Sequence, residues 1–127
     1  MEQSDDSVLG LTSTSLYSAE CLRQAGVTRD LWHLPACESL FVTQQGDVAM
    51  QGQPLVSGFA DIPPYDEAAL IGALRADQAG LTTFPEFLAA SWRAGVVSYD
   101  VNFQNRTVSY YGARGECYVE AYSIVDL

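Results

Sequence analysis

The chain has 127 residues, 48% of them hydrophobic and 11% aromatic, which is enough to bury a core in one domain and too apolar for intrinsic disorder. Sixteen acidic residues stand against six basic ones, all arginine, for a formal charge of -10 and a pI near 4.1. Such a surface repels nucleic-acid backbones and anionic lipid, so neither direct nucleic-acid binding nor membrane contact is expected.

No apolar run approaches the roughly 20 residues that cross a bilayer. The opening Met1-Glu2-Gln3-Ser4-Asp5-Asp6 is acidic, the opposite of a signal peptide's start, so the expectation is a single soluble, cytoplasmic domain over 1–127. Within it, 1–13 read as a loose arm, 14–51 as a first half, 52–65 as a connection, and 66–127 as a helix followed by a second half.

In chain order, the spacing predicts a helix over Ser15 to Gln24, ended by Gly26 where a left-handed residue commonly caps a helix. Leu31 to His33, Ser39 to Thr43 and Asp47 to Gln51 read as short strands, with Gln44-Gln45-Gly46 as a turn. Pro63-Pro64 stops the connection. Leu70, Ile71 and Leu74 form a stripe, so Asp66 to Ala79 is an amphipathic helix ended by Gly80. Thr83-Phe84-Pro85-Glu86 has the form of a capping box, and Phe84, Phe87, Leu88 and Trp92 fall on one helical face. Tyr99, Val101 and Phe103 alternate with Asp100 and Asn102 as in a half-buried strand. Thr107 to Tyr111 and Glu116 to Tyr122 complete a meander.

The two halves resemble each other. Gln24-Ala25-Gly26-Val27 matches Arg93-Ala94-Gly95-Val96 at an offset of 69 residues, and the same offset sets Phe41 on Tyr110, Gly46 on Gly115 and Asp47 on Glu116. The expected fold is therefore α+β: two α-β-β-β halves in an internal pseudo-repeat, one additional helix between them, and antiparallel meanders covered by helices.

The stretch 66–122 resembles the YdfO/YbcV-like bacterial and prophage-encoded family. The residues that carry the resemblance are Gly80-Leu81-Thr82-Thr83-Phe84-Pro85-Glu86-Phe87, Ala94-Gly95-Val96, Tyr99-Asp100-Val101, Thr107-Val108-Ser109-Tyr110-Tyr111-Gly112 and Gly115-Glu116. The first half is similar through Ala25-Gly26-Val27 and Phe41-Val42-Thr43, although Leu34-Pro35-Ala36 departs from the family's strand run. The resemblance implies a prophage-like setting and transfers no catalytic residue.

The candidate chemistry is sparse. Cys21, Cys37 and Cys117 are an odd set without C-x-x-C spacing, and read as reduced thiols. His33 and Cys37 are two corners of a zinc site with no further ligands nearby, so no metal and no cofactor is expected. His33 is the sole histidine, no G-x-S-x-G elbow or phosphate loop occurs, and no catalytic residue is assigned. Asn105-Arg106-Thr107 reads as an ordinary turn. Glu116 and Glu120 share a strand face and read as solubilising acids. If Tyr99, Val101, Phe103, Val108, Tyr110, Cys117, Val119 and Ala121 line the core, then Tyr111, Tyr118 and Tyr122 share the other face with Asp100, Asn102 and Glu120. Tyrosines among carboxylates on an open sheet suit protein contact.

The expected function is thus a non-enzymatic protein-binding or regulatory module whose partner is another protein or a second copy of the chain. Two alternatives stand beside it. One is an acidic nucleic-acid mimic that inhibits a basic host or defence protein. The other is an enzyme or small-ligand carrier with a pocket between helices and sheet.

Overall fold

A computed structural model describes residues 13–56 and 61–122. Of the arm predicted over 1–13, only Ser13 falls among them, and it opens the first helix. The elements run α1 (Ser13–Gln24), β1 (Val27–His33), β2 (Glu38–Thr43), β3 (Gly46–Gln51), α2 (Glu67–Gln78), α3 (Phe84–Arg93), β4 (Val96–Asn102), β5 (Thr107–Gly112) and β6 (Cys117–Ala121). The class is α+β: helices and one six-stranded antiparallel sheet in the order β3-β2-β1-β4-β5-β6.

Local chemistry sets the helix ends. Asp66 caps α2 by accepting from Ala69 N at 3.1 Å. Thr83 and Glu86 close a reciprocal capping box on α3, with Thr83 N donating to Glu86 Oε1 at 2.8 Å and Pro85 in the first turn. Gly95 ends the next connection at φ 87°, and a Cβ there would lie 2.5 Å from Pro64 O, so both conformation and space demand glycine.

At the centre of the sheet β1 pairs with β4 through Leu31 opposite Asp100. The pairings on either side agree at the 69-residue offset. Asp30 opposes Phe41 where Tyr99 opposes Tyr110, and the register breaks after Val27 where it breaks after Val96. Cys37 and Arg106, the non-glycine residues with positive φ among the described residues, are also 69 apart.

The contacts of the helices fall on one face of the sheet. Across that face runs a ladder of aromatic rings, one from each of four neighbouring strands: Trp32, Tyr99, Tyr110 and Tyr118, with centroids 5.5–6.5 Å apart. Beneath the helices lie Leu70, Leu74, Phe87, Leu88, Val101, Phe103 and Val108, all buried.

The structure corrects the sequence reading at two helical positions and one strand. Strand β1 begins at Val27, four residues before the predicted Leu31. On α3 the buried residues are Phe87, Leu88 and Ser91, while Phe84 is 47% exposed and Trp92 only partly buried. The helix is rotated so that Ser91 faces inward, and Phe84 meets the edge of Trp32 at 5.3 Å.

Candidate functional site

The face opposite the helices carries no secondary-structure element among the described residues, and three cross-strand rows define it. The central row sets Leu40 beside Leu31, Asp100, Ser109 and Val119; one flank has Val42, Arg29, Asn102 and Thr107; the other has His33, Ser98, Tyr111 and Cys117. Arg29 reaches diagonally across the centre and forms a two-pronged ion pair with Asp100, one prong being Arg29 Nε to Asp100 Oδ1 at 3.2 Å. Asp100 is only 9% exposed, so it is the partly dry member of the pair. Around them Leu31, His33, Ser98 and Tyr111 line a shallow depression of about 200 Å³.

Of the residues grouped by sequence, Tyr111, Asp100 and Asn102 do share this face. Tyr118, Glu120 and Tyr122 do not. They lie on the helix-covered side, where Glu120 is buried and accepts from Arg75 Nη2 at 2.7 Å, Gln78 Nε2 at 3.2 Å and the Tyr118 hydroxyl at 2.5 Å. Tyr122 packs on the core beside Glu20 and Arg23. Correspondingly Cys117, Val119 and Ala121, predicted to line the core, are exposed.

One extra residue explains the reversal. Between Val42 and its partner Asp47 lie four residues, but between Tyr111 and its partner Cys117 lie five, closed by Gly112 N donating to Glu116 O at 2.9 Å. Because side chains alternate with a period of two, a single added residue turns every side chain of β6 to the other face.

The covered site has its own electrostatics. Burial raises the Glu120 carboxyl, but Arg75, Tyr118 and Gln78 outweigh it and hold the group below its ordinary value. Burial raises Asp30, against hydrogen bonds from the Ser39 hydroxyl and from Trp32 Nε1, the latter at 3.0 Å. Burial likewise pushes Asp77 up to about 6. On α1, Arg23 beside Glu20 holds that carboxyl down to about 2.

Sequence reasoning missed Arg29, because the strand was begun at Leu31. The signal present was Val27-Thr28 directly after Gly26, a β-branched pair where a strand can start. Its partner Asp100 follows only from the β1–β4 register. Among the described residues no group of three or more His, Cys, Asp or Glu side chains is placed to hold a metal, and no helix is long and apolar enough to cross a membrane. Cys21 and Cys117 are exposed free thiols and Cys37 is buried.

No family model matches the chain. It is similar to the uncharacterized protein Rv2012 of Mycobacterium tuberculosis and to the uncharacterized protein Mb2035 of Mycobacterium bovis, at 52% identity over 108 residues in each case. The match takes in 85% of this chain, and it spans 66% of the length of those curated relatives.

Proposed function

We propose that the chain is a protein-binding module that meets its partner, another protein or a second copy, through the uncovered face of the sheet. The observation that carries this reading is the Arg29–Asp100 pair set among Leu31, Leu40, Val42 and Tyr111, which are all neither fully buried nor fully exposed. Arginine and tyrosine within an apolar surround are the groups that anchor protein interfaces, since each brings a large contact area and directed hydrogen bonds. The charge of -10 without lysine supports a module that avoids nucleic acid and lipid, and suits a cytoplasmic setting. The quoted motif residues alone support placing the chain beside the YdfO/YbcV-like proteins.

The test is photo-crosslinking in the native host, with the reactive group at Tyr111 and, as control, at Ala113 in the exposed turn. A defined adduct from position 111 that disappears with Arg29→Glu supports the reading. Equal adducts from both positions, or none from 111, overturn it.

A further inference from the structure

The outer hairpins of the two halves share a register but not a neighbour. In the second half the segment Pro63-Pro64-Tyr65 lies in a cleft against Gly95 and Gly112. A Cβ on Gly95 would sit 2.5 Å from Tyr65 Cα, and one on Gly112 would sit 3.1 Å from the Tyr65 ring. Asp66 N donates to Ala94 O at 2.8 Å, and α2 then crosses β6 to set Arg75 and Gln78 on Glu120.

The 69-residue offset carries Ala94-Gly95 to Ala25-Gly26. The strand pairings carry Tyr118 to Val48 and Glu120 to Met50, because Tyr110 opposes Tyr118 where Phe41 opposes Val48, and Val108 opposes Glu120 where Ser39 opposes Met50. At these matched positions the surface is open. A Cβ on Gly26 would meet nothing within 4 Å, Val48 is 55% and Met50 58% exposed, and a cleft of about 530 Å³ opens between residues 24–26 and 43–48. Ala25 O accepts no backbone N–H among the described residues, whereas its mate Ala94 O takes that of Asp66.

We infer that this cleft, continued by Val48 and Met50, is a docking site for a segment of another polypeptide that enters extended through proline and continues as an amphipathic helix. The segment 61–79 is the intramolecular precedent for that shape. The occupant's chemistry differs from the precedent in two respects. Met50 stands where Glu120 receives Arg75, so the occupant sets an apolar side chain there. Among the described residues lining the cleft Asp47 is the one acid and no base is present, on a chain of charge -10, so the entering end is basic. Its backbone N–H groups have Ala25 O to bond, and its helix face covers the two exposed apolar side chains. This site lies on the helix-bearing side of the sheet and is independent of the contact face proposed above.

The probe is a synthetic peptide of residues 61–79 carrying Asp61→Lys and Arg75→Leu, titrated into the isotope-labelled full chain and followed by amide NMR. The expected result is saturable shifts confined to residues 24–26 and 43–50 below about 1 mM peptide. Val48→Lys and Met50→Lys, both at exposed positions, should each remove them, and Val119→Lys on the opposite face should leave them intact. Absence of shifts in those two segments up to that concentration overturns the inference. So does binding that survives both lysine variants, or shifts centred on Glu120 and Tyr118, which would mean the peptide displaces α2. Concentration-dependent shifts of the same amides without peptide would assign the site to a second copy and equally overturn it.

Discussion

The hairpin β2–β3 and the hairpin β5–β6 form the two ends of the same sheet, yet among the described residues the outer strand of the first is bare and that of the second packs partly under a helix. Every residue of β3 is exposed, while β6 places Tyr118 and Glu120 beneath α2. Two changes separate them: the one-residue-longer turn before β6, and the helix α2, which has no counterpart over β3 among the described residues. The turn decides which side chains of β6 face the helices. The helix decides whether that face is buried. A strand's burial is therefore a property of its turn and its cover together, and the same alternating pattern yields an edge strand packed under a helix or one left exposed.

The largest effect should come from the cover. Leu74 is 1% exposed beneath α2, so Leu74→Ala should cost roughly 2–5 kcal/mol by chemical denaturation, as buried leucine truncations do. Val48→Ala on the bare hairpin should stay within about 0.5 kcal/mol. Similar costs at the two positions would erase the contrast between the halves.

The next effect tests the turn. Glu120→Ala strands Arg75, Gln78 and the Tyr118 hydroxyl, and losing a hydrogen-bonded charge should cost about 2–3 kcal/mol. Met50→Ala at the matched position should cost about 0.5 kcal/mol or less, because that side chain is mostly in water. If Glu120→Ala is as mild as Met50→Ala, then β6 faces the way alternation alone suggested, and the longer turn does not reverse it.

Much of the architecture was readable because its signals are local. The apolar stripe of α2, the capping box of α3, the glycines after each helix and the alternation of Tyr99, Val101 and Phe103 all act within a few residues, and the elements form where these signals lie. The contact face was readable only in part. Tyr111, Asp100 and Asn102 were grouped by alternation along neighbouring strands, which holds as long as the turn between them is counted correctly. Tyr118, Glu120 and Tyr122 were misplaced because Gly115-Glu116 resembles Gly46-Asp47, yet five residues separate Tyr111 from its partner Cys117 where four separate Val42 from Asp47. Arg29 was missed because its meaning lies in a partner 71 residues away, and nothing in the chain near it announces β1–β4 pairing. Phe84 was set in the core on spacing alone, whereas the identity of the inward residue depends on how α3 rolls against Trp32.

The smallest effect concerns acid balance on α2. Asp77 titrates near 6 in the folded chain against about 3.8 when exposed, because burial disfavours its charge. A group raised in this way leaves stability intact below the unfolded value, removes it progressively as pH rises from about 4 to 6, and removes nothing further above. Asp77→Asn keeps the shape and similar helix propensity without the charge. It should raise stability at pH 7 by on the order of 1 kcal/mol, discounted for the part of the carboxyl that stays in water, and change little at pH 4. Glu120 and Glu20 act with the opposite sign and lower on the scale, since their depressed values withdraw stability only as pH falls below about 4.5. Melting curves of both proteins at pH 4 and pH 7 separate the contributions. An equal difference between variant and parent at the two pH values would place the Asp77 carboxyl in open water, and with it would go the tight seating of α2 that distinguishes the second half.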